Sequence, residues 1–315
     1  MRVLLTGSSG WLGRFLAPRL RAAGHHVLGL DVAAGADTQI IGSVANPGVI
    51  QNAFDRGVDA VIHAASLHKP DIARYPEQAF VDVNITGTLN LLEAARRAGH
   101  DRFVFTSTTS LMISRAIREE SADHAVWLDE QSGPLLPRNI YGVTKLAAES
   151  LCRLYAENHG LNGVVLRTAR FFPEDDDTHA SPSGENLKAN ELLHRRLTVE
   201  DAADAHIAAL ERAPQIGFGT FILSAPTPFS REDAAALKQD APSVINRLYP
   251  EAAALYAARG WTLPHSIGRV YDSGHAERVL GFTCATSFAD VLTALREGHP
   301  MPFAHDPTYL SPKER

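Results

Sequence analysis

The chain has few cysteines, no long apolar run and no concentration of basic charge. Its 315 residues contain two cysteines, Cys152 and Cys284, too far apart for a C-x-x-C or zinc-finger spacing. The 14 histidines are dispersed as well, so we expect no metal site. No stretch approaches the roughly 20 apolar residues of a membrane span, and the N-terminus lacks a signal-peptide run. We therefore expect a cytoplasmic protein that does not enter a membrane.

The charge balance argues against nucleic acid as a partner. The formal net charge is -6 at pH 7 and the pI is about 6.2, and Lys and Arg are scattered rather than gathered in a stripe. With 45% hydrophobic and 21% charged residues, the composition is that of a globular protein with a large core. We expect its partner to be a small, polar molecule.

The first half of the sequence alternates short apolar runs with amphipathic stretches, which is typical of parallel strands joined by crossover helices. It predicts strands at 2–6, 26–31, 38–41, 59–64, 102–106 and 163–168, and the less regular second half adds one at 220–224. The predicted helices are 11–23, 78–98, 141–158 and 199–212, followed by shorter ones at 231–238, 243–259 and 287–296.

This pattern predicts the α/β class, with a doubly wound, mostly parallel Rossmann sheet and a smaller, irregular C-terminal substrate-binding lobe. Residues 1–170 would form the Rossmann domain and carry the catalytic residues. Residues 171–315 would mainly form the lobe, with 198–224 returning to the Rossmann core.

A glycine-rich turn follows the first predicted strand and opens the first predicted helix. It reads Gly7-Ser8-Ser9-Gly10-Trp11-Leu12-Gly13, with the spacing G-x-x-G-x-x-G. Glycines allow a tight turn close to a pyrophosphate, and the N–H groups and dipole of the helix N-terminus stabilise its charge. A glycine turn without a ligand is the alternative. The position between strand and helix favours a dinucleotide site.

Asp31 ends the second predicted strand, eighteen residues beyond Gly13, where a carboxylate can accept hydrogen bonds from the adenosine ribose hydroxyls. Residues 32–36 contain no Arg or Lys that could neutralise a 2′-phosphate. The predicted cofactor is therefore NAD. The alternative is that Asp31 only caps the end of its strand.

A second motif places Tyr141 and Lys145 four residues apart, on one face of a predicted helix. Y-x-x-x-K is a weak signal by itself. Here it follows the glycine turn, and a strand that ends in hydroxyl side chains lies between the two: Phe103-Val104-Phe105-Thr106-Ser107-Thr108-Thr109. The combination is much more specific than either motif.

Together these motifs resemble the extended branch of the short-chain dehydrogenase/reductase superfamily, the NAD-dependent epimerase/dehydratase family. Segments 59–65 (DAVIHAA), 84–88 (NITGT) and 198–205 (TVEDAADA) add to the resemblance. It implies an NAD-dependent oxidoreductase or epimerase. It also implies a homodimer, formed through the helices at 78–98 and 141–158.

The resemblance assigns catalytic roles to three residues. Tyr141 would be the acid/base, Lys145 its activator and a ribose ligand, and Thr108 the hydroxyl that positions the reacting oxygen. A free tyrosine has a pKa of about 10. We expect the nearby ammonium and the positive nicotinamide ring to favour the phenolate and bring this pKa towards the working pH.

The resemblance also implies further cofactor contacts, at Ala64, Ala65, Asn84 and Phe171. Ser43 stands where many relatives have an Asp that binds adenine. Asn84 could instead bridge neighbouring elements, and aromatic core packing would explain Phe171 equally well.

Two departures from the family pattern bear on the substrate. Residues 107–110 (STTS) lack the Asp-Glu pair that follows the catalytic Thr in sugar 4,6-dehydratases, which disfavours dehydration. The segment between Phe172 and Val199 lacks the G-x-G-x-x-x-R stretch with which nucleotide-sugar enzymes often hold the diphosphate, which favours a smaller substrate. We expect His68, Thr109 and Arg170 to contact the substrate, with pairing to neighbouring acids as the alternative for Arg170.

The leading hypothesis is an NAD-dependent oxidoreductase that acts on a secondary alcohol or ketone of a polar substrate such as a sugar derivative. One alternative is a nucleotide-sugar epimerase, in which the same oxidation is transient and NAD stays bound. The other is a sensor that binds NAD without turnover.

Overall fold

The computed structural model describes residues 1–175, 182 and 184–314. Its strands are β1 (Arg2–Thr6), β2 (His26–Asp31), β3 (Ile40–Ile41), β4 (Ala60–His63), β5 (Phe103–Thr108), β6 (Val126–Leu128), β7 (Gly163–Thr168), β8 (Phe218–Leu223) and β9 (Arg269–Tyr271). Among the described residues, seven strands form one parallel sheet in the order β3-β2-β1-β4-β5-β7-β8, and β6 pairs in parallel with β9.

The helices follow the strands as crossovers and then build the C-terminal part. The α-helices are α1 (Trp11–Ala22), α2 (Pro47–Phe54), α3 (Glu77–Phe80), α4 (Gly87–Arg97), α5 (Arg115–Arg118), α6 (Ile140–His159), α7 (Gly184–Leu192), α8 (Val199–Ile216), α9 (Ala234–Leu248), α10 (Ala252–Ala258), α11 (Gly274–Leu280) and α12 (Phe288–Glu297). A π-helical segment spans Val81–Thr86, and 3-10 turns lie at Lys69–Ala73, Thr109–Met112, Arg231–Asp233 and Pro312–Glu314. No helix in these described ranges combines the length and apolarity that a bilayer crossing requires.

Both faces of the sheet are covered, as the side chains of β1 show. Val3 and Leu5 belong to an apolar cluster shared with α1 and α8, whereas Leu4 belongs to the cluster on the opposite face with α2, α4 and α6. All three are fully buried. Burial on both sides of one strand is what a doubly wound sheet requires, so the predicted fold class is confirmed.

A third apolar cluster lies outside the sheet, in the C-terminal part of the chain. It gathers side chains of α7, α9, α10 and α12, including Leu192, Leu237, Tyr256 and Phe288. α8 and β8 do not belong to this cluster. α8 packs in the first apolar cluster with α1, and β8 pairs with β7 along its whole length. We call the unit around the third cluster the C-terminal lobe.

The structure differs from the predicted elements mainly at an edge strand and within one crossover helix. The strand predicted at 38–41 is limited to Ile40–Ile41, because Thr38 N donates to Gly35 O at 3.1 Å and so belongs to the preceding turn. The helix predicted at 78–98 is interrupted by the π-helical segment, where the side chain of Asn84 is drawn into contacts outside the helix.

The lobe was predicted least well. Helix α7 lies in a segment that was expected to be irregular, and every residue from Asn186 to Leu192 is buried, so it shows no amphipathic period. The break predicted between the helices at 231–238 and 243–259 is present as a kink at Asp240 (φ -154°, ψ 71°), two residues before Pro242, whose ring cannot continue a regular helix. The second predicted helix was wrong in extent, because α9 ends at Leu248 and a separate helix, α10, begins at Ala252.

Candidate active site

The glycine turn joins β1 to α1. Gly7 has a φ of +75°, and a Cβ there would lie 2.8 Å from Ala65 N, while a Cβ on Gly13 would lie 2.2 Å from Gly7 O. Both glycines are therefore required by close backbone packing. A Cβ on Gly10 would meet only Gly7 O, at 3.2 Å, so this position borders open space.

The N-terminus of α1 is left open for an anionic group. Within the described residues, no side chain caps this helix and no acid stands in its first turn. Its first N–H groups have no helical acceptor by geometry and carry the positive end of the dipole. Trp11 Nε1 donates to Phe171 O at 3.2 Å, and Leu12 is buried in the core beneath the turn.

Asp31 is held beside this turn by two backbone donors. Ser9 N and Ala33 N donate to its two carboxylate oxygens, each at 3.0 Å, and the Ser9 hydroxyl donates to Ala33 O. Through Ala33 N, Asp31 caps the end of its strand, as the alternative interpretation expected, and through Ser9 N it also holds the glycine turn. A carboxylate has about four acceptor positions, so the two that these donors leave fit ribose hydroxyls. An open helix N-terminus next to an oriented carboxylate is a donor and acceptor set that fits a dinucleotide.

The other residues predicted near the cofactor lie around the ends of β3 and β4. Ser43 Oγ accepts from Ala45 N at 3.2 Å within its own turn. Ala65 N donates to Thr6 Oγ1 at 3.1 Å, which fixes the turn that contains Ala64. These positions border the sheet edge where doubly wound folds bind ligands.

Asn84 bridges two elements behind the site. Its Oδ1 accepts from Leu67 N at 2.9 Å, and its Nδ2 donates to Leu67 O at 3.1 Å and Thr144 Oγ1 at 3.0 Å. The residue is 2% exposed and sits in the π-helical segment, a distortion that is frequent at functional sites. Asn84 therefore ties the loop after β4 to helix α6.

Tyr141 and Thr108 meet at the carboxyl end of β5. α6 begins at Ile140, and Asn139 caps it by accepting from Gly142 N at 3.0 Å. The Tyr141 phenol faces the Thr108 side chain. Burial raises the pKa of Tyr141 to about 12, although the Thr108 hydroxyl acts in the opposite direction. The protein groups alone therefore do not lower this pKa, and the lowering expected from the Lys145 ammonium together with the nicotinamide ring stays a prediction.

Lys145 lies one helical turn further, almost completely buried. Its Nζ donates to Thr106 O at 2.6 Å and lies 4.0 Å from the centre of the Phe105 ring. Burial lowers the pKa of this ammonium to about 7, and the Glu149 carboxylate opposes that shift.

Glu149 was not singled out from the sequence. It forms a buried pair with Arg167 of β7, with Arg167 Nη2 2.8 Å from Glu149 Oε2 and both side chains 7% exposed. Ser107 Oγ donates to Glu149 Oε1 at 2.5 Å. Its position four residues after Lys145 was the available signal, since residues at that spacing share a helix face.

The three residues predicted to contact substrate lie in different surroundings. His68 packs against Tyr141, with ring centres 6.0 Å apart, and against Phe172 at 5.5 Å. The Thr109 hydroxyl donates to a backbone carbonyl of β7 at 3.3 Å. Arg170 Nη2 donates to Asp175 O at 3.0 Å and lies 3.7 Å from the Glu174 carboxylate. The structure thus brings His68 to Tyr141, and the substrate roles of all three residues stay predictions.

Residues 306–314 contact the glycine turn and the loop after β4, which no sequence pattern indicated. The Tyr309 ring lies 5.1 Å from Trp11 of the glycine turn. Lys313 Nζ lies 2.6 Å from Asp71 Oδ2, which also accepts from His68 N at 2.6 Å. We call residues 306–314 the tail; it connects the glycine turn with the loop that carries His68.

Comparison with known proteins identifies the family. The sequence profile described as the NAD dependent epimerase/dehydratase family matches residues 3–219, more than half of the chain. The chain belongs to this family. The predictions of the family, of NAD as the cofactor and of an NAD-dependent enzyme are confirmed at that level.

Individual members of the family that resemble this chain have different activities. An L-arabinose 1-dehydrogenase (NAD(P)(+)) of Haloferax volcanii is 33% identical over 181 residues, which cover 56% of this chain and 69% of the relative. A UDP-glucose 4-epimerase of Azospirillum brasilense is 29% identical over 246 residues, covering 66% and 68%. The crystal structure of a short-chain dehydrogenase/reductase superfamily protein from Agrobacterium tumefaciens, with bound NAD, superposes with a TM-score of 0.65 at 21% identity, covering 95% and 98%. The last comparison shows the shared fold.

Proposed function

We propose that this chain is an NAD-dependent dehydrogenase that oxidises a secondary alcohol of a small sugar or sugar acid, or reduces the corresponding carbonyl. The observation that carries the proposal is the state of the basic residues between β7 and α8. All four are engaged by protein groups, as the contacts below describe. A substrate diphosphate in this segment would have to break those contacts, whereas a sugar without a phosphate would not.

The contacts of these four side chains are specific. Arg195 and Arg196 lie 3.2 and 2.9 Å from the Glu191 carboxylate. Lys188 Nζ contacts Pro173 O and lies 2.9 Å from His305 Nδ1. Arg170, as described above, contacts the loop at Glu174 and Asp175. Buried cations that already have partners lose those interactions when an anion competes for them.

The chain's own residues divide the work of the reaction. NAD bound at the glycine turn would supply the hydride acceptor for the alcohol carbon. Tyr141 takes the proton from the alcohol oxygen, and Thr108, which faces the phenol, orients that oxygen. The Lys145 ammonium, together with the positive nicotinamide ring of bound NAD, would have to offset the burial that raises the pKa of Tyr141. His68 and Phe172 place aromatic rings beside the phenol, which keeps water away from the proton transfer.

The test begins with the nucleotide that the purified protein carries. It is released by acid, identified by mass spectrometry, and the protein is then mixed with NAD and a panel of aldoses, uronic acids, polyols and nucleotide sugars while NADH absorbance is followed. We expect exchangeable NAD and net NADH formation with a free sugar. Retained NAD with inversion of a nucleotide sugar and no net NADH would overturn the proposal. NAD binding without turnover of any compound would favour the sensor alternative.

The epimerase is the second candidate, and the tail favours it. An epimerase has to keep its cofactor through both half-reactions, and contacts of Tyr309 with Trp11 and of Lys313 with Asp71 would slow cofactor release. The release experiment separates the two candidates directly.

We also propose that the chain forms a homodimer through α4 and α6. Leu89 of α4 is 37% exposed, and Val143 and Leu154 of α6 are 47% and 45% exposed. Val143 and Leu154 are eleven residues apart, about three helical turns, and so share one face of α6. Light scattering after size exclusion gives the mass, and Leu154→Glu should lower it to that of a monomer.

A further inference from the structure

Helix α6 presents three polar side chains to β5, at positions four residues apart. Tyr141, Lys145 and Glu149 therefore lie on one face, over two turns of the helix. Lys145 donates a hydrogen bond to the Thr106 carbonyl, Glu149 accepts one from the Ser107 hydroxyl, and the Tyr141 phenol faces Thr108. These three partners are consecutive residues of β5.

The Glu149 carboxylate is the most firmly held of the three groups. Arg167 Nε lies 3.1 Å from its Oε1 and Nη2 lies 2.8 Å from its Oε2, which is a bidentate contact. Ser107 and Arg167 are partners in the parallel register of β5 and β7, so both side chains reach the same carboxylate from adjacent strands. Glu149 thus locks α6 to two strands at once.

From this geometry we infer that the Glu149–Arg167 pair is a positioning element for the proposed reaction, fixing the Lys145 ammonium and the Tyr141 phenol against three consecutive residues of β5. Glu149 touches neither substrate nor cofactor and acts through Lys145. The inference rests on the proposed roles of Tyr141 and Lys145.

The charges around Lys145 support this role. Burial lowers the pKa of Lys145 to about 7, and Glu149 is the leading group that raises it. The other titratable groups facing Lys145 add no charge at the working pH. Burial lowers the pKa of His63 to about 3 and that of His68 well below its usual range, and it raises the pKa of the Cys152 thiol. Among the described residues, Glu149 is therefore the anion that sustains this ammonium.

A purely structural bridge between α6 and the sheet is the competing explanation, and the chain offers a matched control for it. Glu191 and Arg196 form a second buried pair, at 2.9 Å and with side chains 5% and 2% exposed. In this pair Glu191 belongs to α7, and Arg196 also donates to the backbone carbonyl of Phe172 rather than to a residue of β5. Loss of either carboxylate leaves a buried guanidinium without its anion.

The experiment compares Glu149→Gln and Glu191→Gln in the full-length protein. Without the carboxylate at 149, we expect the pKa of Lys145 to fall. A fall of about one unit would reduce the charged fraction at pH 7 by about fivefold. In Glu149→Gln, kcat should fall by a similar factor there, and the deficit should close as the pH is lowered, because Lys145 is then charged in both proteins. NMR titration of the lysine side chains in the protein without added cofactor should show the lower pKa directly.

Two results would overturn the inference. One is a folded Glu149→Gln protein in which the pKa of Lys145 and the dependence of kcat on pH both match those of the wild type. The other is the same pH-dependent deficit in Glu191→Gln. If Glu149→Gln does not fold, Ser107→Ala removes one anchor and keeps both charges, and Glu149→Asp keeps the charge. Glu149→Asp should retain the wild-type pH profile with a lower kcat, and Ser107→Ala should lower kcat without altering KM.

These outcomes are separable from failure of the proposed function. If the wild type forms no NADH with any substrate, the proposed dehydrogenase falls, yet the lysine titration still tests the link between Glu149 and Lys145. If the wild type is active and the Glu149 variants match it, the positioning role alone is wrong.

Discussion

The two buried Glu–Arg pairs of this molecule have the same chemistry in two different regions. In the sheet, Arg167 holds Glu149 against β5, one turn of α6 away from Lys145. In the C-terminal lobe, Arg196 and Arg195 share Glu191, and Arg196 also donates to Phe172 O at 2.5 Å. The first pair contacts Ser107 of β5 and lies one helical turn from Lys145, whereas the second reaches the site only indirectly, through the backbone carbonyl of Phe172. A buried ion pair therefore has to be interpreted through its other contacts.

The first prediction tests whether the Glu149–Arg167 pair is connected to catalysis. It starts from Tyr141, where we expect the largest loss of kcat. Tyr141→Phe removes the group that takes the proton, and loss of general acid–base catalysis costs about 10²–10⁴ in kcat. If Glu149 acts on the reaction through Lys145 and Tyr141, adding Glu149→Gln to Tyr141→Phe should lower kcat little further. The effects of residues that act as a unit are not additive. Single-turnover kinetics of the two single variants and the double variant measure this. Fully additive losses would separate Glu149 from the catalytic unit.

The second prediction concerns stability and uses the lobe pair. Glu191→Gln should destabilise the protein by about 3–5 kcal/mol, because it leaves the Arg196 guanidinium buried without the Glu191 carboxylate. Chemical unfolding gives the difference in free energy, and the dependence of kcat on pH should keep its wild-type shape, since Glu191 is not among the groups that shift the pKa of Lys145. A large change in kcat with unchanged stability would place the lobe pair in the catalytic machinery and break the comparison.

The loss of stability in Glu191→Gln should depend on pH. Burial opposes the charge on Glu191, but Arg195 and Arg196 outweigh it and lower the pKa of its carboxyl in the folded state. A lowered pKa contributes stability above the unfolded value of about 4.3 and loses it as the pH falls through the folded value. The stability gap between wild type and Glu191→Gln should therefore narrow in acid.

The contrast between the regions also explains what the sequence could predict. In the sheet, Val3, Leu4 and Leu5 are buried on both faces and the glycine turn marks the start of α1, so strand and helix follow from local pattern. Tyr141 and Lys145 were found because four residues make one helical turn. Arg167 could not be connected to Glu149 in the same way, because the contact depends on the register of β5 and β7. In the lobe, α7 is buried on all sides and gives no period at all.

A smaller effect is expected at Asp31, within the sheet region. Asp31→Asn should weaken NAD binding by about tenfold, because hydrogen bonds from hydroxyls to a charged acceptor are stronger than those to an amide. The same change should reduce the preference for NAD over NADP, since the repulsion of a 2′-phosphate is lost. Isothermal titration with both nucleotides measures it. Equal affinities of wild type and variant would leave Asp31 with only its contacts to Ser9 N and Ala33 N.

The smallest effect is expected in the tail, where Tyr309→Ala should change the affinity for NAD only modestly. Tyr309→Ala removes an aromatic contact with Trp11 that is worth about 0.5–1.5 kcal/mol, so NAD should bind about 2- to 10-fold more weakly and dissociate correspondingly faster. Leu310→Ala is the control, because Leu310 is the next residue and is 49% exposed. Stopped-flow release of NADH measures the rates. If Tyr309→Ala releases the cofactor no faster than Leu310→Ala does, the tail only covers the surface, and the structural argument for an epimerase that retains its NAD disappears.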